Sequence, residues 1–412
     1  MQSIHKTLLL CLVAVITAVF FRSQGTHDII TWMTWGEHAY QHGIVEGYAM
    51  DGNLYPPLAD VLIWISYSLA MLIGVAPVYL FKFSLLVFLL ATTQIFYYWS
   101  NKNLPATLCF YGAMLLSSLG LAYLDIYFAP ALLFSLRRLQ QGKLSQFAFF
   151  FTLACLIKFP PLMIAPFLLV YIVTNHWRQK QTRTNIEILN WKSLAPTFGL
   201  LTVILFFFGK TLLIALLKTT QAPWLSAWAL NFNWIVTRIF LQNGWGQAYP
   251  PGLDPSISIM NPVPALAHQM AMWLFLFFFS ATLLLFISGK KTFENLLLTA
   301  LLGSFSYFMF STGVHENHLF LASLLAMVLF CINPRFLYLG FGVLLISGLN
   351  LFVFYGVSGS NTGGFLFHWD MSSPTYSYWT DAPLLIACGN VVYFLVLWFC
   401  TASALWRERS PS

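Results

Sequence analysis

Runs of about twenty apolar residues recur along this chain, and each is long enough to carry a helix across the hydrocarbon of a bilayer. Clear runs lie at 7–21, 78–98, 105–123, 195–217, 265–288, 293–311, 317–333, 336–357 and 384–405. A shorter run, 125–136, precedes Arg137, Arg138 and Lys143. Residues 145–174 form one long run broken at Lys158-Phe159-Pro160-Pro161. A proline pair removes two backbone donors, so this run is expected to be two membrane helices meeting at a bend.

Composition agrees with a chain built for lipid: 59% of the 412 residues are hydrophobic and 8% charged. Soluble domains carry about 25% charged residues. No polar stretch is long enough for a separate soluble catalytic domain, so residues 1–412 read as one integral membrane domain. The net charge of +7 does not signal nucleic acid, because the 20 Lys and Arg lie in short clusters between apolar runs rather than along one helix face. Cys11, Cys109, Cys155, Cys331, Cys388 and Cys400 fall in apolar segments without metal-ligand spacing and read as packing residues. Residues 1–21 have the basic start and apolar run of a signal peptide, but Phe20, Phe21 and Arg22 stand where small cleavage-site residues belong. A retained signal-anchor helix is expected.

The segment 54–75 is also long enough to span, and charge bias decides against it. If it lies along the outer leaflet, Lys6, Lys102, Arg137, Arg138, Lys143, Arg178, Lys180, Arg183, Lys192, Lys290, Lys291, Arg335, Arg407 and Arg409 share the cytoplasmic side. The outer loops then keep Arg22, Lys218 and Arg238. Fourteen cations against three is a strong positive-inside bias, which predicts twelve crossings with both termini in the cytoplasm. Ten of the thirteen acidic residues fall at or near the outer face, which points to chemistry outside. The outer polar segments are 22–57, 218–264, 358–383 and a hairpin at 312–318.

The first outer loop begins GTHDIITWMTWGEHAYQHG, with Asp28, Trp32, Trp35 and Glu37 on a predicted amphipathic helix. Asp28 and Glu37 are nine residues apart and need not share a face. Partial desolvation at the bilayer surface suits Asp28 to general base work, while a helix-start carboxylate favoured by the macrodipole is the plainer reading. Tyr55-Pro56-Pro57 gives a rigid lead into the next helix. Lys158, inside an apolar run, pairs with Asp125, pairs with a lipid phosphate, or snorkels to the interface. FSTGVHENHLFLA at 310–322 brings His315, Glu316 and His318 to the outer ends of two apolar helices; it lacks the HExxH of a zinc protease and suits a charged ligand head group. Outer tryptophans serve as interfacial anchors, with Trp35 set apart as a candidate for stacking on a sugar ring.

Taken in order, the first-loop aspartate, YPPL at 55–58, KFPPL at 158–162, Leu230-Asn231-Phe232-Asn233-Trp234 and VHENHLF at 314–320 resemble the integral-membrane glycosyltransferases of the GT-C superfamily. Within it they are similar to bacterial relatives of the dolichyl-phosphate-glucose glucosyltransferases. The resemblance implies an all-α polytopic enzyme of the bacterial inner (plasma) membrane with short amphipathic helices in its outer loops. Such an enzyme takes a hexose from a polyprenyl-phosphate-linked sugar donor and passes it, with inversion, to a glycan, glycolipid or protein acceptor. Asp28 matches the catalytic aspartate, and His315 and Glu316 match the hairpin near the donor head group. Lys158 and Arg238 are further phosphate-binding candidates by position and charge, and Trp35, Glu37 and Tyr55 are candidates for the acceptor or sugar. No cofactor is implied, no nucleotide site is needed, and a divalent metal stays open. The relatives tend to have lysine where this chain has Asn317, and an acidic residue where it has Leu54. A transporter or flippase is the competing class, though no inverted repeat of broken helices is visible; a lipid-binding scaffold is a third.

Overall fold

The computed structural model describes residues 2–50, 54–182, 192–219, 224–249, 259–356, 359 and 382–407. The protein is all-α, with sixteen α-helices among the described residues. The first four helices are α1 (Gln2–Phe21), α2 (Asp28–His42), α3 (Ile44–Met50) and α4 (Pro57–Ile73). There follow α5 (Pro77–Trp99), α6 (Leu104–Leu115), α7 (Asp125–Gln140), α8 (Leu144–Ile157), α9 (Ala165–Thr182) and α10 (Ala195–Thr219). The remainder are α11 (Phe232–Gln242), α12 (Ala265–Ser288), α13 (Phe293–Phe310), α14 (Phe320–Ile332), α15 (Leu337–Tyr355) and α16 (Ala382–Arg407). Strand pairs of two residues each, β1 (Ser226–Ala227) with β4 (Val314–His315) and β2 (Ala248–Tyr249) with β3 (Ile259–Met260), join the loop segments between helices.

Local chemistry sets the boundaries. Pro57 and Pro77 open α4 and α5, where a missing N–H costs nothing. Asn103 and Thr292 cap α6 and α13 by accepting from Ala106 and Asn295 N–H at 3.1 Å each. Gly74, left-handed with φ 72°, closes α4 by donating its N–H to Ala70 O.

Six of the described helical stretches are long and apolar enough to cross a membrane: Pro77–Trp99, Ala195–Thr219, Ala265–Ser288, Phe293–Phe310, Pro334–Tyr355 and Ala382–Arg407. Helix α13 is the hub, with 83% of its apolar window buried against protein rather than open to lipid. Lipid tails are as apolar as leucine, so packing and not water exclusion holds such a hub in place. Its Thr299, Ser304 and Ser306 hydroxyls donate back to carbonyls of their own helix and are thereby satisfied in the interior.

The bend expected at Lys158-Phe159-Pro160-Pro161 is present. Helix α8 ends at Ile157, Lys158 is extended (φ −153°, ψ 144°), and a 3₁₀ turn over Pro160–Ile164 leads into α9. The expected single run 105–123 ends sooner: α6 widens into a π turn at Leu116–Gly120 and then leaves the helix. That widening frees the Leu121 carbonyl to accept the Thr26 N–H at 3.1 Å, which fixes the start of α2.

The bundle has two distinguishable ends. At one, Trp99 donates to Gln140 (3.0 Å), Arg335 and Asn333 both reach Glu294 (3.2 Å), and Asn175 donates to Lys291 O (3.5 Å). The other gathers the C-terminus of α1, the N-termini of α2, α5 and α7, the Lys158 bend and the 312–319 hairpin. Helix α4 starts beside Lys158 at this second end and finishes where α5 begins, also at this end. Both of its termini are therefore on one side.

Candidate active site

Lys82 prepares the site from below. Its ammonium donates to the carbonyls of Phe20 (3.3 Å), Phe21 (3.2 Å) and Ser23 (2.5 Å) and to Ser23 Oγ (2.9 Å). These carbonyls end α1, where a cation is favoured by the macrodipole and by unsatisfied acceptors. Ser23 Oγ donates in turn to Gly120 O at 2.6 Å. The turn 22–27 is thereby fastened to α5 and to the π turn, and Asp28 follows in the first turn of α2.

Asp28 is half-buried, and among the described residues no hydrogen bond engages its carboxylate. Burial raises its pKa, and the charge of Glu316 raises it further, against opposing pulls from His315, Lys158 and His27. An unbonded carboxylate of raised basicity is a proton acceptor held in reserve.

Around it stand four groups. Lys158 Nζ lies 2.8 Å from Asp125 Oδ2, both side chains being buried. The same oxygen accepts from Asn317 Nδ2 at 2.8 Å, so the N-terminus of α7, the α8–α9 bend and the hairpin meet at one atom. Tyr55 lies under the ammonium, with Nζ 5.2 Å from its ring centroid. Trp32, Trp35 and Tyr55 close into an edge-to-face triangle with centroids 4.8–5.8 Å apart.

The hairpin supplies the fourth side. Glu316 is buried, accepts from the Tyr123 hydroxyl, and offers its own carbonyl to Asn350 Nδ2 at 2.8 Å. Burial pushes its pKa up, partly offset by the Tyr123 hydrogen bond. His315 is half-buried, 4.0 Å from Glu316 Oε2, with the Trp224 ring edge-on at 5.9 Å. Burial lowers the pKa of His315, against opposing pulls from Asp28 and Asp125. His318 Nδ1 accepts from the His315 N–H at 3.3 Å and its ring stacks on Tyr307.

The asparagines of Leu230-Asn231-Phe232-Asn233-Trp234 brace this wall and do not enter it. Asn231 donates to Phe308 O at 2.6 Å, and Asn233 to Phe310 O at 3.0 Å and Ser311 O at 2.7 Å. They satisfy the carbonyls at the end of α13 just where the hairpin departs. Asn350 and Asn390 in turn hold Leu230 N–H and C=O, at 2.6 and 2.8 Å.

The structure thus brings Asp28, Tyr55, Trp35, Lys158, His315 and Glu316 together. Glu37 is exposed and accepts from Gln41 at 3.0 Å, one helical turn on. Arg238 is buried on α11 with its guanidinium 4.3 Å from the Trp234 ring. Asp51, Asp254, Asp370 and Asp381, and nearly all of the 358–383 loop, lie outside the described residues. The sequence offers Asp125 as one of two partners for Lys158, the other being a lipid phosphate, and gives Tyr123, Asn350 and Lys82 no part in the site. The one available signal was their polarity inside or beside apolar runs.

Beside the cluster an apolar cavity of about 440 Å³ runs between α4, α5, α7 and α8, lined by Leu58, Leu62, Ile95, Tyr127, Phe134 and Ile157 among others. Its rim is the chain on either side of the site, since Ile157 precedes Lys158 and Leu58 follows the Tyr55-Pro56-Pro57 turn. Among the described residues no group of three or more His, Cys, Asp and Glu side chains is arranged to hold a metal ion. No protein-family model matches the chain, and no curated protein matches it.

Proposed function

We propose that the protein is a membrane-embedded inverting glycosyltransferase that moves a hexose from a polyprenyl-phosphate donor to an acceptor hydroxyl on the extracytoplasmic side. The observation that carries this is the placement of an unbonded carboxylate, Asp28, against a wall that holds the Lys158–Asp125 ion pair and the His315 imidazole at the end of an apolar bundle. Chemistry of this kind needs a base for the acceptor, a polar seat for a phosphate leaving group and an apolar seat for its lipid, all within one site.

In the reaction, Asp28 takes the acceptor hydroxyl proton as that oxygen bonds to the anomeric carbon. The bond from that carbon to the phosphate oxygen breaks, and the polyprenyl phosphate leaves with the electron pair. One base suffices for a single displacement, and configuration inverts. His315 has a ring N–H to offer the departing phosphate, and the Lys158 ammonium, held by Asp125, stands in the same wall. The aromatic triangle of Trp32, Trp35 and Tyr55 suits the apolar faces of a sugar, and the 440 Å³ cavity suits the first isoprene units.

The membrane arrangement belongs to the same proposal. Twelve crossings place both bundle ends in water, with the cations of the Trp99–Gln140 end in the cytoplasm and the Asp28 end outside. The α4 helix, with both termini at the outer end, then lies along the outer leaflet, and the shorter apolar helices cross as partners of the six long ones. Incubating the purified protein with short-chain polyprenyl-phosphate hexoses and following release of polyprenyl phosphate tests the reading. Release is expected for at least one hexose. Movement of such lipids across liposomes without bond cleavage favours a flippase instead.

A further inference from the structure

A second groove, of about 570 Å³, lies on the outside of the bundle between α1, α5 and α6. Its walls are one face of each helix: Val13, Ala14, Thr17, Ala18, Phe21 and Arg22 from α1 and the residue after it, Leu86, Leu90 and Thr93 from α5, Leu108 and Tyr111 from α6. The polar groups within are already satisfied. Thr17 and Tyr111 share a hydrogen bond of 2.6 Å, and Thr93 donates to Leu89 O at 2.8 Å. From Val13 to Arg22 the groove descends about 14 Å, close to half of a hydrocarbon core of about 30 Å. It therefore has the depth of one leaflet, and Arg22 stands at the end that opens on the headgroup layer.

Arg22 is exposed, and among the described residues no acidic side chain pairs with it. A guanidinium at the headgroup level above an apolar slot one leaflet deep is complementary to a phosphate joined to an acyl chain. We propose that this groove binds an anionic phospholipid of the outer leaflet, with its phosphate on Arg22 and one acyl chain between α1 and α5. Arg22 begins the turn that leads to Asp28, so a bound lipid steadies the path from α1 into the site. This holds whatever reaction the site performs.

The test is native mass spectrometry of the detergent-purified full chain after exchange into phosphatidylglycerol or phosphatidylcholine. Wild type, Arg22→Lys, Arg22→Gln and Ala18→Phe are compared; Ala18 is exposed in the groove, so the larger side chain fills the slot without disturbing the core. Wild type and Arg22→Lys are expected to retain phosphatidylglycerol over phosphatidylcholine. Arg22→Gln is expected to lose about fivefold in that preference, and Ala18→Phe to lose both lipids. Equal retention of the two lipids by wild type overturns the proposal. So does loss on Ala18→Phe with no effect of Arg22→Gln, which leaves a slot for any chain.

Discussion

Lys158 and Asp125, thirty-three residues apart, meet at 2.8 Å in the interior of the end of the bundle that holds Asp28, and Asn317 of the hairpin binds the same carboxylate oxygen. Neither charge has water to fall back on. The pair is thus a cross-link between α7, the proline bend and the hairpin, and it also fixes where a cation stands relative to Asp28.

Breaking this pair from one side leaves a bare buried charge. Lys158→Met is expected to destabilise the protein by about 3–5 kcal/mol, as removal of one partner of a buried pair typically does. The double variant Lys158→Met, Asp125→Leu is expected to regain most of that loss while staying inactive. Thermal unfolding in detergent measures both; a double variant as unstable as the single one contradicts the pairing.

The raised basicity of Asp28 has a pH signature. With its pKa held above the ordinary carboxylate value of about 4, the base form is lost as pH falls through that higher range, so transfer declines on the acid side earlier than a free carboxylate would dictate. Glu316 contributes to the elevation. Replacing it, in Glu316→Gln, is expected to move the acid limb of the rate profile to lower pH. An unmoved or raised limb counts against coupling between the two carboxyl groups.

Lys82 ties down the C-terminus of α1. Lys82→Met removes its donors from three carbonyls and one hydroxyl, and is expected to cost about 1.5–3 kcal/mol, as for hydrogen bonds from a charged group. Because the turn to Asp28 is released, the turnover rate is expected to fall with little change in donor KM. Intact turnover in a folded variant contradicts a positioning role.

Filling the 440 Å³ cavity separates lipid recognition from chemistry. Val61 lines it. Val61→Trp is expected to raise KM about tenfold for a long-chain polyprenyl donor while leaving a donor with one or two isoprene units nearly unaffected, as about 1.4 kcal/mol of lost contact implies. Equal effects on both donors place the lipid chain elsewhere.

Much of the helical framework was legible because period, length and turn chemistry agree: most of the apolar runs, the lead through Tyr55-Pro56-Pro57 into α4 and the Lys158 bend appear where the residues put them. Asp28, His315 and Glu316 stood out because polar residues at the ends of apolar runs are few. What the sequence hid is lateral contact. Tyr123 reaches Glu316 across 193 positions, and Asn350 reaches the hairpin from mid-helix. Nothing in periodicity marks one buried asparagine as a brace and another as a ligand. The π turn at Leu116–Gly120 was equally invisible, since its apolar residues fit an ordinary helix and tertiary contacts to α1 and Thr26 decide the outcome.

The most direct test of the account is sugar transfer by wild type and by Asp28→Asn, a near-isosteric change that removes the base. With a polyprenyl-phosphate hexose and an acceptor alcohol, the variant is expected to bind donor normally and to lose about 10²–10⁴-fold in turnover. Equal turnover by the two folded proteins contradicts the assignment of Asp28 as the base, and with it the reading of this site.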